Sequence, residues 1–135
     1  MEHKQLKKAI LDLCNYSEKE SYSGYSLFDS HTSPIPFNKF PHKVSFLINQ
    51  VIKRSPVNLR PLIGIKKQFN PKGMGLFLYA YTIIESNRLM KGFDNKYKVS
   101  YFFNWLNENY CKNHLGKGWG YHYDWPKSDG TFVPK

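Results

Sequence analysis

Between Asn70 and Gly92 runs a helical pattern that is apolar nearly all the way round, and no other stretch so restricts what this chain can fold into. Leu76, Tyr79, Ala80, Ile83 and Ile84 recur at the spacing of one helical face, while Phe77, Leu78 and Tyr81 make the other sides apolar too. Such a helix needs cover on both sides. Asn70 is placed to cap its start, Pro71 is preset for its first turn, and Gly92 stands where a left-handed residue would stop it.

Three further helices are expected around it. Leu6, Ala9, Ile10 and Leu13 predict an amphipathic helix from about Glu2 to Tyr16. Val44, Leu47, Ile48, Val51 and Ile52 predict a second, closed at Ser55-Pro56 because proline disfavours helical geometry in the residue before it. Asp94 or Asn95 can cap a fourth, with Val99, Phe102, Phe103, Leu106 and Tyr110 as its apolar face and an end near Asn113. The short link from the third helix makes these two an antiparallel αα-hairpin. Long aromatic connections fill Ser17 to Pro41, Val57 to Phe69 and the chain beyond Gly116, and no strand alternation appears, so the class is all-α. Four helices, one of them needing cover all round, leave a core short of partners. Residues 1–135 therefore read as a single partial domain, completed by further chain or by self-association.

Charge and cysteine usage narrow the function classes. The net charge of +10 is spread from Lys4 to Lys135 with only short basic pairs and no nucleic-acid-binding motif, so it reads as a solvated surface and no nucleic-acid partner is expected. Attraction to acidic polysaccharide or to an anionic membrane surface is the alternative. Cys14 and Cys111 are too few and too distant for a disulfide framework or a CxxC site, and His31, His42 and His114 show no metal-ligand spacing. No metal and no cofactor are expected. The N-terminus lacks a signal-peptide pattern and no stretch approaches a transmembrane span, which places the chain in the cytoplasm if Met1 is the true start.

Aromatic residues make up 17% of the chain, and flat, half-polar rings suit either a helix core or a wall for sugar rings. They are densest at Trp119, Gly120, Tyr121, His122, Tyr123, Asp124 and Trp125, either a binding platform with His122 or a tyrosine as proton carrier, or a hydrophobic plug. Asp29 and Asp124 each follow an aromatic residue in a loop. They form the best pair for the two carboxyl groups that glycoside hydrolysis requires; taken singly each reads first as a turn residue, Asp29 opening an Asx-turn and Asp124 capping or bracing a turn before Trp125-Pro126. Arg60 can contact acidic sugar or phosphate, or pair with a carboxylate or loop carbonyls. Gly73 and Gly75 lack the full phosphate-loop pattern and are explained by close helix packing.

The stretch RSPVNLRPLIGIKKQFNPKGMGLFLYAYTIIE, with WLNENY, WGYHYDW and the upstream GYSLFDSHTS, resembles a bacterial family of six-hairpin, glycosidase-like proteins linked with surface-polysaccharide gene sets. The resemblance implies an (α/α) toroid, here incomplete at about two helical hairpins. It implies a carbohydrate-binding or carbohydrate-active parent protein whose partner is an oligosaccharide or polysaccharide, with this chain as its N-terminal part and inactive alone. Tyr25, in the Gly-Tyr loop of the resemblance, joins Arg60, Trp119, Tyr121, Tyr123 and Trp125 as an expected substrate contact. A non-catalytic helical assembly module that completes its core with a partner is the alternative.

Overall fold

The computed structural model describes residues 2–26, 29–88, 95–112, 116–121, 125–126 and 132–133. It is helical, with α1 (Glu2–Lys19), α2 (His42–Arg54), α3 (Pro71–Ser86) and α4 (Asn95–Glu108), and short 3-10 turns at Asp29–Thr32, Phe37–Lys39 and Pro61–Ile63. Strand pairing among the described residues is limited to an antiparallel ladder of β1 (Trp125–Pro126) with β2 (Phe132–Val133) and two isolated bridges. The chain divides into two compact units, Met1–Ser23 with Phe69–Gly120, and Gly24–Gln68 with Tyr121–Lys135.

In the first unit α3 and α4 pack in opposite directions. Phe69 meets Trp105, Phe77 and Tyr81 stack on Phe102, and Glu85 lies near Lys96, so one chain ascends as the other descends. The Asn70 side chain accepts from the Lys72 N–H at 2.9 Å and opens α3 as its sequence predicts. Met74, Tyr81 and Ile84 are buried, with Phe77 packed beside them, and Phe102 of α4 is fully enclosed. Each of these large side chains contributes about 1.5 to 3 kcal/mol by leaving water.

The expected cover on both sides of α3 is not found among the described residues. Leu76 and Tyr79 are 61% and 68% exposed, and the inward set runs instead through positions 74, 77, 81 and 84. Aromatic pairing with Phe102 selects that face over the aliphatic one. The third helix also ends early, at Ser86, where the Asn87 side chain donates to the Ile83 carbonyl; Gly92 and Asp94 lie outside the described residues. The fourth stops at Glu108, short of Asn113.

α1 is longer than its apolar spacing predicts and is rotated from it. Ile10, Cys14 and Ser17 face inward, whereas Leu6 and Leu13 stand exposed. Cysteine packs as a small hydrophobe, and the Ser17 hydroxyl is satisfied by the Leu13 carbonyl one turn back at 2.8 Å. The helix closes on two crossed bonds, Tyr22 N–H to the Ser17 carbonyl and Ser21 N–H to the Glu18 carbonyl. This is the Schellman arrangement with Ser21, at φ 51°, where glycine is usual.

The second unit is tied by polar bonds around a small apolar centre, Ile52 and Ile65. A two-way bridge joins Gly24 to Gln68, the Ser45 hydroxyl donates to the Phe37 carbonyl, and the Ser33 hydroxyl donates to the Ile63 carbonyl, both at 2.6 Å. Ser30 donates to Asn49 of α2. α2 consequently turns Ser45, Asn49 and Ile52 inward; of its expected apolar face Ile52 is buried and Ile48 half-buried, while Val44, Leu47 and Val51 are exposed. Gly64 is required where it stands: its φ is +74°, and a Cβ there would meet Pro34 Cγ at 2.8 Å.

Candidate functional site

Three of the residues expected to bind or act, Tyr25, Asp29 and Arg60, come together in the second unit. The 3-10 turn at Asp29–Thr32 is fastened by the Thr32 hydroxyl on the Asp29 carbonyl and carries the Asp29 side chain inward, where it is 2% exposed. Its carboxylate accepts the Arg60 Nε–H on both oxygens, at 3.1 and 3.0 Å, and the Ser26 N–H at 2.9 Å. The bond to Ser26 reaches back three residues, so Asp29 braces the preceding loop instead of opening an Asx-turn. The Arg60 guanidinium lies 5.4 Å from the centre of the Tyr25 ring and also donates to the Ser26 carbonyl. A carboxylate so enclosed has its oxygens engaged by Arg60 and Ser26 and shows solvent little of itself.

The rest of the expected set is divided. Trp119 belongs to the first unit, where its indole N–H donates to the Leu106 carbonyl at 2.8 Å and its ring remains partly exposed. Tyr121 belongs to the second and is 38% exposed. His122, Tyr123 and Asp124 lie outside the described residues, as does Phe28, and of Trp125 the backbone alone is described, in β1. The pairing of Asp29 with Asp124 therefore falls outside what the structure describes.

A second constellation, unmarked by any motif, lies in the first unit. The end of α1, the start of α3 and the first turns of α4 enclose an open depression of about 320 Å³, lined chiefly by Glu18, Tyr22, Phe69, Tyr97, Lys98 and Tyr101. A further depression of about 260 Å³ on the other side of Tyr97 and Tyr101 is lined by Asn104, Trp105 and Glu108. The two tyrosines, four residues apart on α4, thus form a ridge between two hollows.

Local strain and charge fix the walls of this groove. Ser21 and Tyr22 both hold positive φ, 51° and 57°, a conformation that costs an L-residue about 1 to 2 kcal/mol. It persists because the crossed bonds at the end of α1 hold the backbone and the Tyr22 ring is packed edge-on against Phe102 and Phe77. Lys98 Nζ pairs with Glu18 at 3.0 Å and lies over the Tyr22 and Tyr97 rings. Burial by itself would lower the Lys98 ammonium, but its bonds and charge contacts with Glu18 and Tyr22 outweigh this and raise it above the ordinary lysine value. Burial raises the Tyr22 phenol, although its bonds to Tyr81 and Lys98 pull the other way. Tyr81, bonded to the Tyr22 hydroxyl at 3.2 Å, is raised by burial and further by Tyr22 and Cys14.

The groove thus presents the Lys98 ammonium, the Tyr22 phenol and ring faces. Neither Lys98 nor Tyr22 is disposed to take up a proton as a base. Among the described residues no three His, Cys, Asp or Glu side chains gather as a metal-ligand group, and no helix is long and apolar enough to cross a membrane. No protein family, curated protein or solved structure matches the chain.

Proposed function

We propose that this chain binds carbohydrate without transforming it at the described site, in a helix array of the (α/α) toroid kind, and that it serves polysaccharide metabolism. The ridge of Tyr97 and Tyr101 between two hollows carries this reading. Sugar rings bind to flat aromatic faces through their C–H surfaces while their hydroxyls take up directional hydrogen bonds at the edge. Tyr97, 62% exposed, offers such a face, and Lys98 with Glu18 supplies a fixed donor and acceptor beside it. Two hollows sharing one ridge suit at least two successive sugar units. The resemblance of the loop and α3 sequences to glycosidase-like toroids supports the same class of ligand.

The reading is tested by calorimetric titration with neutral oligosaccharides and with uronic-acid oligomers. Saturable binding is expected for at least one of them, weakened about tenfold in Tyr97→Ala, the loss of roughly 1.4 kcal/mol of stacking. An unchanged circular-dichroism melt of that variant assigns the lost affinity to the ring itself. Absence of saturable binding across the panel, or equal affinity in Tyr97→Ala, overturns the proposal.

One observation favours the helical assembly module instead: α3 exposes Leu76, Tyr79 and Ile83 along one side. If the partner is a second copy, the protein is a dimer or higher by light scattering, and a monomer at all concentrations excludes self-association.

A further inference from the structure

The second unit carries a pattern of charge and polarity that the Asp29–Arg60 cluster does not use. From Gly24 to Gln68 the sequence holds seven Lys and Arg residues against a single acid, Asp29. Asp29 is buried and paired with Arg60, so the charges this segment shows to solvent are all positive. Within it α2 has no acidic residue and exposes Val44, Leu47 and Val51 by 43%, 63% and 53%. These three sit at the i, i+3, i+7 spacing of one face, while Ser45, Asn49 and Ile52 on the opposite side are turned into the unit. Lys43, four residues before Leu47, and Arg54, seven after it, flank the stripe, and both are exposed.

We propose that α2 is an interfacial helix that lies flat on an anionic lipid surface. Leu47, Val51 and Val44 enter the boundary between headgroups and acyl chains, and Lys43 and Arg54 extend along it to the lipid phosphates. The combination selects lipid over the other anionic partners. A nucleic acid or an acidic polysaccharide rewards the positive charge but gives Leu47 and Val51 no apolar medium to enter. A second copy of the chain offers apolar cover but sets like charge against like across the stripe. An anionic bilayer satisfies both halves of the face at once. With 13 residues, α2 is too short to span a bilayer and has an inward face already committed to the unit, so it lies on the surface.

The full-length chain is tested by co-sedimentation with vesicles of phosphatidylcholine alone and of phosphatidylcholine mixed with phosphatidylglycerol. The expected result is pelleting with the anionic vesicles, little with the neutral ones, and weakening as salt rises. The double variant Leu47→Gln with Val51→Gln is expected to lower partitioning at least tenfold while leaving the melting temperature unchanged, because the stripe is exposed in the free protein. Lys43→Gln with Arg54→Gln is expected to weaken binding and flatten its salt dependence. Failure to pellet with anionic vesicles overturns the proposal, as does unaltered binding of the Leu47/Val51 variant, which would show attraction by charge alone. A fall of several degrees in the melting temperature of that variant also overturns it, since the stripe would then be covered within the chain or by a second copy.

Discussion

In the first unit the Tyr22 ring meets Phe77, Tyr81, Tyr101 and Phe102, and Met74 and Phe102 are fully enclosed. In the second, Asp29, Ser30 and Ser45 are buried beside Ile52 and Ile65, and hydroxyl-to-carbonyl bonds and one ion pair take the place of a ring cluster. Apolar contact is non-directional and is shared among many atoms, so the first unit loses stability roughly in proportion to the area removed. A polar centre fails through the group left behind, because each partner that loses its bond stays buried without one. The two units therefore differ in how they fail, and substitutions in each should separate the two kinds of damage.

The largest effect is expected in the aromatic unit. Phe102→Ala empties the point where α1, α3 and α4 converge and should cost about 3 to 5 kcal/mol, read from urea unfolding by circular dichroism. Next comes Asp29→Ala, which leaves the Arg60 guanidinium, 15% exposed, without its carboxylate and should cost about 3 kcal/mol. Limited proteolysis between Gly24 and Gln68 should rise in that variant, and removing Arg60 as well should restore part of the loss. A cost for Asp29→Ala below about 0.5 kcal/mol would make the polar centre ornamental and break the contrast between the units.

Alkali should act on the first unit through its tyrosines and Lys98. Burial raises Tyr22 and Tyr81 above their ordinary value of 10.0, and Glu18 and Tyr22 raise Lys98 above 10.5 against the opposing effect of burial. The folded chain therefore keeps protons that the unfolded chain has already released. Their contribution is complete below about pH 10 and is lost as pH rises through the folded values. Urea titrations on either side of pH 10 should show the loss, and Tyr22→Phe should make it shallower at a cost of about 1 kcal/mol for the Tyr22–Tyr81 bond. The smallest effect is Asn70→Ala, which removes the cap of α3 and should cost somewhat under 1 kcal/mol in the same unfolding measurement.

The start of α3 is legible in the sequence because Asn70-Pro71 encodes it locally, within one turn. The inward face of α1 is not, since Cys14 and Ser17 carry weak apolar signals and their burial is decided by the aromatic rings of other segments. Its end escapes for a related reason: Ser21 occupies the left-handed position without the glycine that would announce it. The partly displaced inward face of α2 follows from Ser30, which engages Asn49 from nineteen residues away and draws a polar side inward. At the sites, Arg60 is visible as a residue able to pair with a carboxylate, but its partner at position 29 emerges through folding. The groove is assembled from residues 18–22, 69 and 97–108, none of which forms a motif by itself. Tyr97, Lys98 and Tyr101 on one helical turn are the trace of it that spacing retains.

The most direct test of the saccharide site is a two-dimensional amide NMR titration of the chain with an oligosaccharide that binds. The account predicts that the perturbed amides gather at Ser21 and Tyr22 and along Tyr97 to Trp105 in the first unit. Saturable perturbation centred instead on Tyr25, Asp29 and Arg60, or none at all, would contradict it.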